Sequence, residues 1–496
     1  MFSKKIISLV LSLTTLGGVA ATAKEAVQAP KSPTTQTVAV KENTEVKIPK
    51  YVFLFIGDGN ALSQVSVAET YLGALKGKKE PEKFAYTQFD NQGFSTTHSL
   101  DSYITDSAAA GTAIATGYKT NSGMVGVTPD GKEVESIADL ADKKGKKIGV
   151  VTSTTINHAT PASFYSSNVS RNNYHEIGHD LIESDFEYFA GGMISKYEDD
   201  KDNLYDLAKK DGYKIVNTRK DFEKLSAKDG KVIVTSEDLQ GGAIPYEIDK
   251  TDKSLTLAEM TTKGIEVLDN DKEGFFMVIE GGKVDWASHA NDAAASIQDS
   301  IAFSEAIDEA IKFYNEHPEE TLILVTSDHE TGGMTMGFAG TGYGLNLDIL
   351  KHQKVSFEEF DKIINNYLKN NKSPRFSEMM QLVEENFGLK MAGKKGDKTV
   401  LTDYEIHRLM EAYRERLEMD TEVVYDDELG VLYGSYDPFS VTVTHILNQK
   451  AGIGWTSYSH TGIPVPVYAQ GAGSEAFNGY YDNTDIFKKL KKIMGV

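Results

Sequence analysis

The sequence predicts an α/β fold: a doubly wound, mainly parallel central sheet flanked by helices, with a mostly helical insertion near the C-terminal third. Three observations carry this. Four continuously apolar runs, at 51–56, 148–152, 275–279 and 322–326, read as strands buried on both faces. Apolar residues at helical spacing lie between them, at 135–143 and 291–314, and strands alternating with helices favour a parallel, doubly wound sheet. Each run also gives way to a loop carrying Asp, Glu, His or Thr, and ligands of such sheets bind beyond the carboxyl ends of the strands.

Composition narrows the class. The chain has 496 residues, 40% hydrophobic and 25% charged, enough apolar material for a large core. A net charge of −21 argues against nucleic acid as a stable partner and against anionic membranes. An anionic substrate must therefore be drawn in by local positive charge. Residues 1–23 have the layout of a signal peptide: Lys4 and Lys5, an apolar stretch, then Ala21-Thr22-Ala23 as a small-residue cleavage site. Cleavage there removes both lysines and takes the net charge from −21 to −23. The apolar stretch is short for a membrane span, and 24–48 reads as a flexible linker. With no cysteine in the chain, the expectation is an exported bacterial protein, periplasmic or secreted, stabilised by its core and by metals.

In chain order, the run 51–56 ends in Gly57-Asp58-Gly59. At 103–120, Asp106 and Ser107 precede a stretch of Ala, Gly and Thr that suits a closely packed helix. A serine there is most often an N-cap, although a helix N-terminus also favours an anion. The run 148–152 leads to His158 and Thr160, and 275–279 leads to Glu280, Asp285, Trp286 and His289. The run 322–326 leads to Ser327, Asp328 and His329, and 464–468 is a last short strand. Between them, 343–454 breaks the rhythm with amphipathic helices at 356–369, 377–387 and 402–419, the last opened by a capping box of Thr402 and Glu405.

Taken singly, these polar residues have dull explanations as caps or surface groups. Four strand ends sharing them point instead to a polynuclear metal site. Asp285 and His289 are four apart and share a face if their loop opens a helix. Imidazole with carboxylate favours zinc, beside an oxygen-rich magnesium site. The near-match to a calcium loop at Asp269, Asp271, Glu273 and Gly274 runs into an apolar strand and is read as a solvated turn. The acidic run 198–202 is read as an exposed face, and His98, His175, His179, His317, His352, His407 and His445 receive no role for want of a carboxylate-rich setting.

Thr105-Asp106-Ser107-Ala108-Ala109, followed by Thr116-Gly117 and Lys119-Thr120, resembles the nucleophile motif of alkaline phosphatases. Gly57-Asp58-Gly59, Ala159-Thr160-Pro161, Arg171, Glu280-Gly281, Asp285 with His289, Ser327-Asp328-His329 and His460-Thr461-Gly462 match that family's other motifs in the same order. The resemblance implies a catalytic domain over 49–496, interrupted by the 343–454 insertion, that hydrolyses phosphate monoesters through a phosphoserine on Ser107. It implies two Zn²⁺ and one Mg²⁺: Asp285, His289 and His460 at the first zinc, Asp58, Ser107, Asp328 and His329 at the second, and Asp58, Thr160 and Glu280 at magnesium. Two cations can clamp the attacking and leaving oxygens of an in-line displacement. Arg171 is the implied bidentate phosphate clamp, oriented by Asp106.

Two positions vary within the family. This chain carries His158 near the magnesium shell and Trp286 where some members bring a lysine to phosphate. Weaker product retention is expected, and the identity of the third metal stays open. So do the natural substrate and the choice between homodimer and monomer. The rival readings are a phosphodiesterase or sulfatase on the same scaffold and a non-catalytic phosphate-binding protein.

Overall fold

A strand whose side chains are apolar on both sides must be covered on both sides, and the central strands of this protein obey that rule. The computed structural model describes residues 48–269, 272–418 and 427–496. The signal peptide and nearly all of the linker expected from the sequence fall outside them, as does Asp271 of the acidic turn.

Fourteen strands are described: β1 Tyr51–Ile56, β2 Asn91–Thr96, β3 Lys147–Thr152, β4 Tyr188–Gly191, β5 Lys214–Val216, β6 Val232–Thr235, β7 Phe275–Glu280, β8 Thr321–Thr326, β9 Glu330–Thr331, β10 Thr335–Met336, β11 Ile453–Gly454, β12 His460–Thr461, β13 Val465–Gly471 and β14 Gly479–Asp482. Ten of them form one sheet in the order β14-β2-β13-β8-β1-β7-β3-β4-β6-β5. From β8 to β5 every pairing is parallel, whereas β13 runs antiparallel to both β8 and β2. Pro466, which cannot donate to a ladder, lies one residue outside the β8 pairing, which begins at Val467.

Alternation along β1 separates the two faces. Tyr51, Phe53 and Phe55 enter one apolar cluster, while Val52, Leu54 and Ile56 enter the other. The segment 343–454 carries the helices Phe357–Asn370, Phe376–Phe387, Asp403–Glu418, Asp427–Tyr433 and Pro438–Ala451. Phe360, Ile364, Val383, Leu409 and Phe439 from this segment join the Phe53 side of the core. At the start of the Asp403–Glu418 helix, Glu405 N donates to Thr402 Oγ1 and Thr402 N donates to Glu405 Oε2, the reciprocal cap read from the sequence.

Register sets the location of the chemistry. Ile56 of β1 is level with Glu280 of β7 and Thr326 of β8, and Glu280 is level with Thr152 of β3. Four neighbouring strands therefore end along one line, and their following loops open onto one crevice.

Candidate active site

The crevice begins with the turn after β1. Gly59 has φ +65, and a Cβ there would lie 2.7 Å from Thr331 Oγ1 and 3.0 Å from the Asp285 Cα. Only glycine permits that approach, and it brings the Asp58 loop against the loops after β7 and β8. Asp58 is fully buried, and neither of its carboxylate oxygens has a hydrogen-bond partner among the described residues.

Ser107 is the first residue of the helix Ser107–Thr116, every residue of which is buried. Asp106, not Ser107, is the N-cap, accepting from Ala109 N at 3.1 Å. The small residues let this helix lie close to its neighbour: a Cβ on Gly111 would approach Ser163 Oγ to 2.8 Å. Ser107 Oγ is left beside free N–H groups, 3.2 Å from His329 Nε2. Lys119, a residue of the same motif, turns away to Asn483 Oδ1 and Asp482.

Asp285 and His289 share one face of the helix Lys283–His289, with Asp285 Oδ1 3.3 Å from His289 Nε2. β12 delivers His460 by pairing with β9, so that His460 Nε2 lies 3.0 Å from His289 Nε2 and 3.5 Å from Asp285 Oδ1. His329 Nε2 stands 3.4 Å from Asp58 Oδ1 and 3.3 Å from Asp328 Oδ2. Donor atoms around a tetrahedral ion with bonds of 2.0–2.1 Å are separated by about 3.3 Å, and both groups meet that spacing. A third group joins Asp58, His158 and Glu280.

The donor orientations fit metals as well. His289 Nδ1 contacts Tyr458 O at 2.6 Å and His460 Nδ1 contacts Thr105 O at 2.7 Å. Each ring donates its Nδ1 proton to a backbone carbonyl and turns the Nε2 lone pair toward the cluster. Asp58 Oδ1 and Oδ2, Thr160 Oγ1, Glu280 Oε1 and Asp328 Oδ2 are buried oxygens without hydrogen-bond partners among the described residues. Buried carboxylates left this way are costly unless they coordinate cations. Burial, reinforced by Asp328, Asp285 and Glu280, pushes the Asp58 carboxyl well above the usual range. Burial and Asp285 push Asp328 up to about 8. Burial also opposes ionisation of Asp285, yet His289, His460 and His329 hold it well below the ordinary carboxylate range. Carboxylates crowded to this degree stay ionised together only beside added positive charge.

Arg171 Nη1 donates to Asp106 Oδ2 at 2.9 Å, and its Nη2 lies 3.3 Å from His158 Nε2. His158 and Trp286 meet edge-on, with ring centroids 5.9 Å apart. Behind Trp286, the buried Lys283 Nζ sits 4.5 Å from that ring and 3.6 Å from the Tyr246 ring.

Three features escaped sequence reasoning. Thr331 Oγ1 donates to Asp285 Oδ1 at 2.5 Å and lies 3.2 Å from His329 Nδ1, linking the two zinc-like groups. Glu330 accepts from Gln64, Thr461, Gly333 N and Met334 N, pinning the strand that carries His460. The third corrects the histidines set aside for lacking carboxylates. His98 lies 3.3 Å from Asp482 and His407 3.3 Å from Glu411. His175 and His179 face Asp202, with Asp199 beside His175, so the run 198–202 is not merely an exposed face. For His98, His175 and His179 chain folding brings the acid to the imidazole, whereas Glu411 lies four residues from His407 on one helix, a spacing visible in the sequence.

The Alkaline phosphatase family model matches residues 49–496. The chain belongs to the alkaline phosphatase family. It is 33% identical to alkaline phosphatase 3 of Bacillus subtilis over 90% of this chain and 89% of that protein. Alkaline phosphatase 4 of the same organism is 32% identical, over 92% of each chain. Among solved structures, the alkaline phosphatase of Thermus thermophilus superposes with a TM-score of 0.75 at 28% identity, covering 90% of this chain and 92% of that one. The cold-active enzyme of a Shewanella species gives a TM-score of 0.74 at 26% identity, covering 90% and 99%. As an alkaline phosphatase the chain is a metal-dependent phosphomonoesterase, and the fold neighbours share its α/β sheet. No helix among the described residues is long and apolar enough to cross a membrane.

Proposed function

We propose that the protein hydrolyses phosphate monoesters through a covalent phosphoserine on Ser107. The observation that carries this reading is the position of Ser107 Oγ, 3.2 Å from His329 Nε2 at a helix N-terminus, among buried carboxylates with unpartnered oxygens. Two zinc ions, held by Asp285, His289 and His460 and by Asp58, Ser107, Asp328 and His329, with magnesium at Asp58, Thr160 and Glu280, would supply Lewis acidity at the attacking and leaving oxygens.

Arg171 grips two phosphoryl oxygens and presents phosphorus to Ser107, while Asp106 holds the guanidinium in place. The Ser107 alkoxide attacks phosphorus, the alcohol departs, and the Ser107–Thr116 helix N-terminus stabilises the charge that gathers there. Water then attacks the phosphoserine, releasing inorganic phosphate and restoring Ser107. His158 and Trp286 line the same crevice and tune the third metal and the hold on product. We assign the catalytic unit to 49–496, with 343–454 as a helical insertion. The chain acts outside the cytoplasm after loss of 1–23, on small phosphate esters, as a monomer or homodimer.

Rapid-quench trapping with a labelled monoester tests this. Wild type is expected to yield one acid-stable phosphoserine, and Ser107→Ala none, with an unchanged circular dichroism spectrum. A full burst in Ser107→Ala would overturn the proposal. Nitrophenyl diester or sulfate cleaved faster than the monoester would shift the assignment to the sister activities.

A further inference from the structure

Away from the crevice, the helix Tyr174–Glu183 presents His175 and His179 on one face, four residues apart. The loop 196–203 folds over that face. It closes through a bridge between Glu198 and Asn203, and Asp199 Oδ1 accepts the N–H groups of Lys201 and Asp202. Asp202 Oδ1 is thereby set 3.0 Å from His175 Nε2 and 3.4 Å from His179 Nε2. The two rings meet edge-on with centroids 5.1 Å apart.

Two details match the groups described above, and the backbone of Lys196 adds to the second. The two spacings from Asp202 Oδ1 straddle the ~3.3 Å edge of a tetrahedral site with 2.0–2.1 Å bonds. His175 Nδ1 contacts Lys196 O at 2.9 Å, the same backbone anchor that His289 and His460 use to commit Nδ1 and free Nε2. That carbonyl is aimed by Lys196 in a left-handed conformation, φ +48, which a lysine adopts only at an energetic cost. With the Nδ1 proton given to Lys196 O, a neutral His175 turns its Nε2 lone pair toward the Asp202 carboxylate oxygen, a conflict that a second ring proton would also relieve. A cation between them resolves the conflict.

We propose that His175, His179 and Asp202 form a fourth metal site, structural in role, that takes zinc or a similar first-row divalent ion. Two imidazoles and one carboxylate are the donor set such ions prefer over magnesium or calcium. Asp199 is committed to the loop backbone, so the fourth position falls to water. The ion fastens the loop 196–203 to the helix that follows Arg171, in a chain that has no disulfide to do so. Asn157 strengthens the same junction, donating to both Tyr174 O and Ser195 O.

The test is zinc binding by the full chain after chelator stripping. Wild type is expected to take up one more zinc per chain than His175→Gln/His179→Gln and than Asp202→Asn, each checked for native circular dichroism. As a local readout, zinc should slow tryptic cleavage after the exposed Lys196 and Lys201 at least tenfold in wild type and leave both variants unprotected. Equal zinc content in wild type and folded variants, or cleavage in wild type that ignores zinc, would show a hydrogen-bonded cluster only and overturn the proposal.

Discussion

Asp106 serves two neighbours at once: Oδ1 accepts from the Ala109 N–H at 3.1 Å, and Oδ2 accepts from Arg171 Nη1 at 2.9 Å. One carboxylate thus ties the start of the Ser107–Thr116 helix to the Arg171 guanidinium. Asp106→Ala is expected to cost about 1 kcal/mol of stability through the lost cap. It should also raise the inhibition constant of inorganic phosphate roughly tenfold, the cost of a charge-assisted hydrogen bond. Unchanged phosphate inhibition would show that Arg171 needs no such support.

Thr331 joins the two zinc-like groups through Asp285 and His329. Thr331→Val keeps the shape and removes the hydroxyl. Outer-shell losses of this kind typically cost 10–100-fold in metal affinity, so the free zinc needed to restore half activity should rise by roughly that factor. A titration midpoint that does not move would make Thr331 a packing residue only.

Metal removal should make stability depend on pH. In the protein groups alone, Asp328 has a folded pKa of about 8, above its ordinary 3.8, and Asp58 is displaced in the same direction. The folded state then holds these protons more tightly than the unfolded state. The associated stability is full below about pH 4 and is lost as pH rises through 8. Melting temperature of the chelator-treated protein should therefore fall by several degrees between pH 5 and 8.5, while the metal-loaded protein, whose carboxylates face cations, changes less. Parallel melting curves for the two forms would contradict this.

His158 shares a group with Asp58 and Glu280, and its Nδ1 is 3.9 Å from Glu280 Oε1. Magnesium prefers oxygen donors. His158→Asp should lower the magnesium concentration for half-maximal activation roughly tenfold, as one added hard ligand would. Metal analysis of the purified variant, showing no more bound magnesium than wild type, would refute it.

The central sheet was legible because β1, β3, β7 and β8 are buried on both faces and read as unbroken apolar runs. The strands β4, β5 and β6 are four residues or fewer and gave no period to read. β2 is partly exposed and contains Gly93. The antiparallel course of β13 could not be seen either, since direction is decided by which neighbours a strand meets. The ends of three insertion helices were readable within two residues because their apolar stripes are regular, whereas the helices Asp427–Tyr433 and Pro438–Ala451 were not read from the sequence.

In the site, residues following buried strands were visible through their position. Asp106 and Arg171 could be paired only through family resemblance, because nothing in the intervening 64 residues signals the contact. Thr331 and Glu330 were passed over because threonine and glutamate after a histidine look ordinary, although they lie in a loop already marked as functional. His175 and His179 were missed because their acids come from a turn more than 20 residues later.

β1 lies between β7 and β8, and its loop is closed by residues that follow both. A ribosome or an export channel delivers the chain from its N-terminus, so Asp58 emerges long before Glu280, Asp328 or His460. No chain short of His460 presents all three proposed donor sets. Loading of the full metal set is therefore completed late, once the strand that carries His460 has paired with the one that follows His329.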